Sequence, residues 1–264
     1  MKRALWWKRS WLQIFASGLV LLYVLQRALG ASASPAYLPG VILLGAFLVP
    51  VTFVAYLHDR LEGWRVPQRI VAACFLWGGI LGTVVASHAE LGMLRHFGVM
   101  PSLGIAFIEE SVKLVIPLVV YVVWRERSRA AGIVIGLATG AGFAGFETMG
   151  YAYVRFLQSH GDLGLLNQIL FLRGLTSPVG HIAWTGLVCA VLWGEGVKAG
   201  RATINPRVLL AFSAAVALHT LWDASARLAG DLQPAFSALG LVNLIVAVAS
   251  LALLAAQVDA ADRP

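Results

Sequence analysis

The segment Ser102-Leu-Gly-Ile-Ala-Phe-Ile-Glu109-Glu110-Ser-Val-Lys113-Leu-Val-Ile-Pro-Leu-Val-Val-Tyr-Val-Val-Trp124 is long and apolar enough to cross a bilayer, yet it carries Glu109, Glu110 and Lys113 inside the crossing. A carboxylate in hydrocarbon is costly unless it is paired or faces a cavity, so a chain that keeps such groups there uses them. The rest of the chain has the same character, with 59% hydrophobic and 12% charged residues. That composition excludes an ordinary soluble domain and predicts an all-α polytopic membrane protein. The net charge of +7 does not indicate nucleic acid, because the bases are spread over short loops with no aromatic-interleaved stripe. Cys74 and Cys189 both fall in apolar runs and read as small core residues.

Hydropathy predicts eight spans, roughly 11–29, 38–57, 67–87, 102–124, 131–156, 168–194, 206–228 and 234–257. The loops between them are too short to separate domains, so residues 1–264 read as one bundle, with the motif-bearing helices at about 102–228. Lys2, Arg3, Lys8, Arg9, Arg60, Arg65, Arg69, Arg125, Arg127, Arg129, Lys198, Arg201, Arg207 and Arg263 lie on one side. Only Arg27, Arg95, Arg155, Arg173 and Arg227 lie on the other, which predicts that both termini are cytoplasmic. The basic start, apolar run and Ala31-Ser32-Ala33 have the look of a cleavable signal. The length of the run and its ending at Gln26 and Arg27 favour a retained first helix. Trp6, Trp7, Trp64 and Trp124 read as interfacial anchors, and His58, His88, His96 and His160 as solvated groups at span ends. Gly132, Gly136, Gly140 and Gly142 of the fifth span read as a close-packing face that holds Glu147 one turn beyond.

Further polar groups lie in later spans: Glu147, His181, His219 and Asp223. With the orientation above, Glu109 and Glu110 lie about 11–12 Å deep at ~1.5 Å per residue. Glu147, His181, His219 and Asp223 fall at similar depth, in the outer half of the membrane or near its midplane. His219 and Asp223 share a helix face at i,i+4, which suits an aspartate that fixes the imidazole tautomer. Glu109 and Glu110 diverge by about 100° around the helix, so one is expected to face the site and the other to pair with Lys113. Trp184 and Trp222 follow the two histidines and either wall the cavity or face lipid.

Two routes to hydrolysis are open. A carboxylate removed from water is a competent general base near neutral pH and takes a proton from water, while a histidine polarises a carbonyl. Alternatively Glu147, His181 and His219 hold Zn2+ with an open position for water. Outside hydrolysis, buried acids with Lys and His also suit a proton-coupled transporter, and a tie between helices suits a non-catalytic membrane scaffold.

Glu109-Glu110-Ser-Val-Lys113 resembles the EExxK motif of the PrsW family of intramembrane proteases, and Phe143-Ala-Gly-Phe-Glu147 its FxxxE. His181 and His219 resemble its later histidine motifs. In the wider CAAX-protease and bacteriocin-processing superfamily EExxxR, FxxxH and a later His-x-x-x-Asn/Asp recur. Lys113 at the shorter spacing and Glu147 in place of His set this chain nearer PrsW than the prenyl-protein proteases. The resemblance implies a multi-pass peptidase of a bacterial inner membrane that cleaves a membrane-tethered protein. Glu110 or Glu109 would activate water and Lys113 would tune the pair. Glu147, His181, His219 and Asp223 would complete the site, which would open to the extracytoplasmic side. It leaves the metal-free and Zn2+ routes both open.

Overall fold

The computed structural model describes residues 9–60, 66–98, 101–124, 128–229 and 238–261. Lys2, Arg3, Lys8, Arg65, Arg125, Arg127, Arg263, Trp6, Trp7, Trp64 and the His58 side chain, all assigned roles above, lie outside them. Among the described residues the chain is helical with no strand: α1 (Ser10–Ser32), α2 (Leu38–Arg60), α3 (Gln68–Phe97), α4 (Ser102–Lys113), α5 (Val115–Val123), α6 (Arg129–Gln158), α7 (Leu163–Thr176), α8 (His181–Ala199), α9 (Pro206–Ala229) and α10 (Ala238–Ala261). Short 3-10 turns at Pro35–Tyr37 and Ser177–Val179 join α1 to α2 and α7 to α8. Among the described residues seven helical stretches, against eight expected spans, are long and apolar enough to cross a bilayer. This is an all-α bundle of a multi-pass membrane protein, as hydropathy predicts.

Two expected spans are not single helices. The fourth breaks at Leu114, between α4 and α5. Pro117 has no N–H to offer the carbonyl of Lys113, so the helix cannot continue regularly through that turn. Lys113 becomes the last residue of α4, where a cation complements the C-terminal end of the helix dipole. The sixth span breaks before His181. Pro178 withholds the N–H that Gly174 would take, and the Ser177 hydroxyl donates to the Gly174 carbonyl instead at 2.8 Å. His181 is therefore the first residue of α8 rather than an interior one. The third span also runs farther than expected, to Phe97, which brings Glu90 into a helix.

Helix α6 is the hub. Its apolar window is 83% buried, against 6% for α1 and 17% for α10. Its closest neighbours are α8 and α3. Glycine sets both approaches. A Cβ on Gly136 would lie 2.6 Å from the Thr185 carbonyl oxygen, and one on Gly140 would strike the His181 carbonyl. On the α3 side, a Cβ on Gly79 would lie 2.6 Å from the carbonyl carbon of Gly142. The expected packing face is thus two-sided. Cys74 and Cys189 are buried free thiols in the cluster around this helix. Outward faces such as Val119, Val122 and Val123 of α5 or Leu244, Ile245 and Val248 of α10 stay exposed and apolar, as lipid contact requires.

Candidate active site

Helix α4 delivers three charges to one place. Lys113 Nζ donates to Glu110 Oε1 at 2.7 Å and to Glu109 Oε2 at 3.3 Å. The expectation that one glutamate turns to the site and the other to lysine is corrected here. Lys113 is i+3 from one and i+4 from the other, so its flexible stem reaches between them and both carboxylates face inward.

His219 of α9 meets the pair, with Nδ1 at 3.0 Å from Glu110 Oε1 and Nε2 at 3.8 Å from Glu109 Oε2. Asp223 lies one turn on, its Oδ2 3.4 Å from His219 Nε2. His181 of α8 approaches from the other side, with Nδ1 2.7 Å from Lys113 Nζ. An ammonium only donates, so Nδ1 accepts and the ring proton sits on Nε2. That Nε2–H donates to Glu147 Oε2 of α6 at 2.9 Å. Phe143, one turn before Glu147, sets its ring edge to face against His181 and beneath the Lys113 ammonium, 4.2 Å from the ring centre.

All seven residues expected from the sequence converge, and four others join them. Trp184 walls the site: it is buried, stacks on His219 at 4.7 Å between centroids, and donates Nε1–H to Ser250 Oγ at 2.8 Å. Trp222 packs, partly buried, against the same cluster. Arg173, expected at the outer edge of the sixth span, lies on α7 with its guanidinium 2.6 Å from Glu147 Oε2 and above the Tyr151 ring. Its signal in the sequence was weak, because an arginine near a span end ordinarily reads as a loop charge. Glu90 of α3 interacts with Glu109, and its Oε1 is buried with no hydrogen-bond partner among the described residues. It fell beyond the expected end of the third span. His88, His96 and His160 are exposed and take no part.

Side-chain exposure rises from 0% at Lys113 and 2% at Glu110, through 13% at His181 and 16% at Glu147, to 26% at Asp223 and 32% at Arg173. The cluster therefore opens toward the end of the bundle where α4 begins and α9 ends.

The donor set fits a metal ion. Glu109, His181 and His219 each offer a ligand atom, all within 4.8 Å of one another. The imidazole nitrogens turned toward Glu109 are Nδ1 of His181 and Nε2 of His219, which also lie against Lys113 Nζ and Asp223 Oδ2, and the opposite ring nitrogen of each is backed by a carboxylate, Glu147 or Glu110. Glu147 thus stands behind His181, and Glu109 takes the place beside the imidazoles that the sequence suggested for Glu147. Charge points the same way: Glu109, Glu110, Glu147 and Asp223 face the permanent cations Lys113 and Arg173, so neutral imidazoles leave at least two negative charges uncompensated. A divalent cation would balance them. Lys113 draws on the same Glu109 Oε2 and His181 Nδ1, so the ammonium and an ion compete for these atoms.

Residues 66–254 match the family model of the PrsW family intramembrane metalloproteases. No curated protein and no solved structure matches the chain. The matched stretch contains every side chain of the cluster.

Proposed function

Because the chain belongs to the PrsW family of intramembrane metalloproteases, and is therefore a peptidase, we propose that it cuts a peptide bond of a membrane-tethered protein with Glu110 as general base beside a metal held by Glu109, His181 and His219. The observation that carries this reading is the approach of those three ligand atoms to within 4.8 Å inside a membrane bundle. Two imidazoles and a carboxylate suit Zn2+, which supplies Lewis acidity toward the scissile carbonyl when bound.

Glu110 is the carboxylate left next to that set, within reach of a water at the site. It takes a proton from the attacking water and returns it to the departing amine. Lys113 lies 2.7 Å from Glu110 Oε1 and compensates its charge. Glu147 and Glu110 accept from the ring nitrogens of His181 and His219 that face away from the metal, Asp223 lies beside His219 Nε2, and Arg173 holds Glu147. Trp184 excludes water from one face of His219. The open end of the cluster lies away from the basic loops, so substrate enters from the extracytoplasmic side of what we take to be a bacterial inner membrane.

The test is a comparison of new N-termini in membrane fractions of cells expressing the wild type, Glu110→Gln or Glu109→Gln. Cleavage events present with the wild type should vanish with both variants, a loss of at least about 10²-fold for the base. Wild-type cleavage by both variants would remove the proposal.

A further inference from the structure

The far end of α8 bears a second polar site that the reaction does not use. A cleft of about 600 Å³ runs between α8, α9 and α10, with Arg129, Lys198 and Arg207 around one end. These come from the first residue of α6, the last turn of α8 and the first turn of α9. Among the described residues the only acid lining it is Glu195, whose carboxylate accepts from Lys198 at 2.6 Å, Asn205 at 2.7 Å and Arg207 at 3.4 Å. Arg129 lies over Gly194, where a Cβ would come within 2.9 Å of its guanidinium, and donates to the neutral Gln257 Oε1 at 2.7 Å. Three cations therefore surround one carboxylate, which Lys198 and Arg207 contact and Arg129 does not.

Below the rim the lining turns apolar, with Leu187, Val191, Leu210 and Leu253. Leu187 lies two turns deeper than Glu195, about 12 Å at ~1.5 Å per residue. The cleft thus pairs an anion-seeking rim with a hydrocarbon-lined trough running into the membrane. A soluble anion would use the rim alone; an anionic lipid uses both, and basic pockets between membrane helices take such headgroups. We propose that this cleft binds an anionic phospholipid, its phosphate on Arg129, Lys198 and Arg207 and an acyl chain along the trough between α8, α9 and α10. The rim lies at the end that carries most loop bases, where anionic headgroups are attracted. The site is independent of the catalytic assignment.

The full chain, purified and passed through mixed micelles of equal phosphatidylglycerol and phosphatidylcholine, is assayed for retained lipid by mass spectrometry. Phosphatidylglycerol should be retained preferentially, and Arg129→Gln and Arg207→Gln should each weaken that preference about fivefold. Ala214→Trp, which fills the trough and leaves every charge in place, should abolish retention. Arg27→Gln with Arg95→Gln, at the opposite end, should change nothing. Equal retention of the two lipids by the wild type overturns the proposal without reference to any variant. So does a preference that survives both Arg129→Gln and Ala214→Trp, or thermal protection by inorganic phosphate that matches that of the lipid.

Discussion

Lys113 illustrates how much one side chain decides. It is fully buried and is shared by Glu109, Glu110 and His181, so removing its charge leaves two adjacent buried carboxylates without their shared cation. Lys113→Met should cost about 3–5 kcal/mol, the usual penalty for orphaning a buried charge, and appear as a lowered Tm in detergent. Because the ammonium and a metal ion draw on the same atoms, added Zn2+ should raise the Tm of this variant more than that of the wild type. Equal gains would mean that the two cations do not compete. Arg173 makes a subtler case. Arg173→Lys keeps a charge near Glu147 but loses the planar fork that also reaches Thr148 and covers Tyr151. Cleavage should fall at unchanged metal content, since Arg173 touches no ligand atom.

Helix α6 works through what it lacks. Gly136 meets Thr185 and Gly186 backbone on α8, so Gly136→Leu must push the two helices apart. A cost of about 1–3 kcal/mol or more is expected, together with loss of the His181–Glu147 hydrogen bond that spans them. Gly150, on the same helix with nothing near its missing Cβ, is the contrast. Gly150→Ala should leave cleavage intact and stabilise by up to ~1 kcal/mol through helix propensity. Pro117 and Pro178 act at the same level: each deletes one backbone donor, and the resulting breaks place Lys113 at the end of α4 and His181 at the start of α8.

For the bundle as a whole, the imbalance of charge in the site sets an expectation about metal. The purified protein should carry a divalent ion that is lost in the His181→Ala, His219→Ala double variant, as read by elemental analysis. At a hundredfold excess over Kd the ion should add about 2.7 kcal/mol to stability. An apoprotein unmoved in Tm by Zn2+ would return the site to metal-free chemistry. Orientation is open to the same kind of test. Cys74 and Cys189 are buried, so a cysteine placed at Ser159 or Arg201 reports alone. An impermeant maleimide added outside the cell should label Ser159→Cys and spare Arg201→Cys.

The membrane setting, the all-α class and the presence of seven polar residues inside apolar runs could be taken from one dimension, because hydrocarbon imposes a length and a purity on every crossing and makes each exception conspicuous; the number of crossings could not, since eight are expected and the described residues hold seven helical stretches of sufficient length and apolarity. Contact between distant helices could not be taken from it. Arg173 and Glu90 look like ordinary charges at span ends until α7 and α3 are packed beside α6 and α4. The choice of Glu109 over Glu147 as the carboxylate beside the imidazoles depends on which way two side chains turn after a helix break. Such placements depend on side-chain reach and on the close approach of glycine faces, which arise only when helices meet.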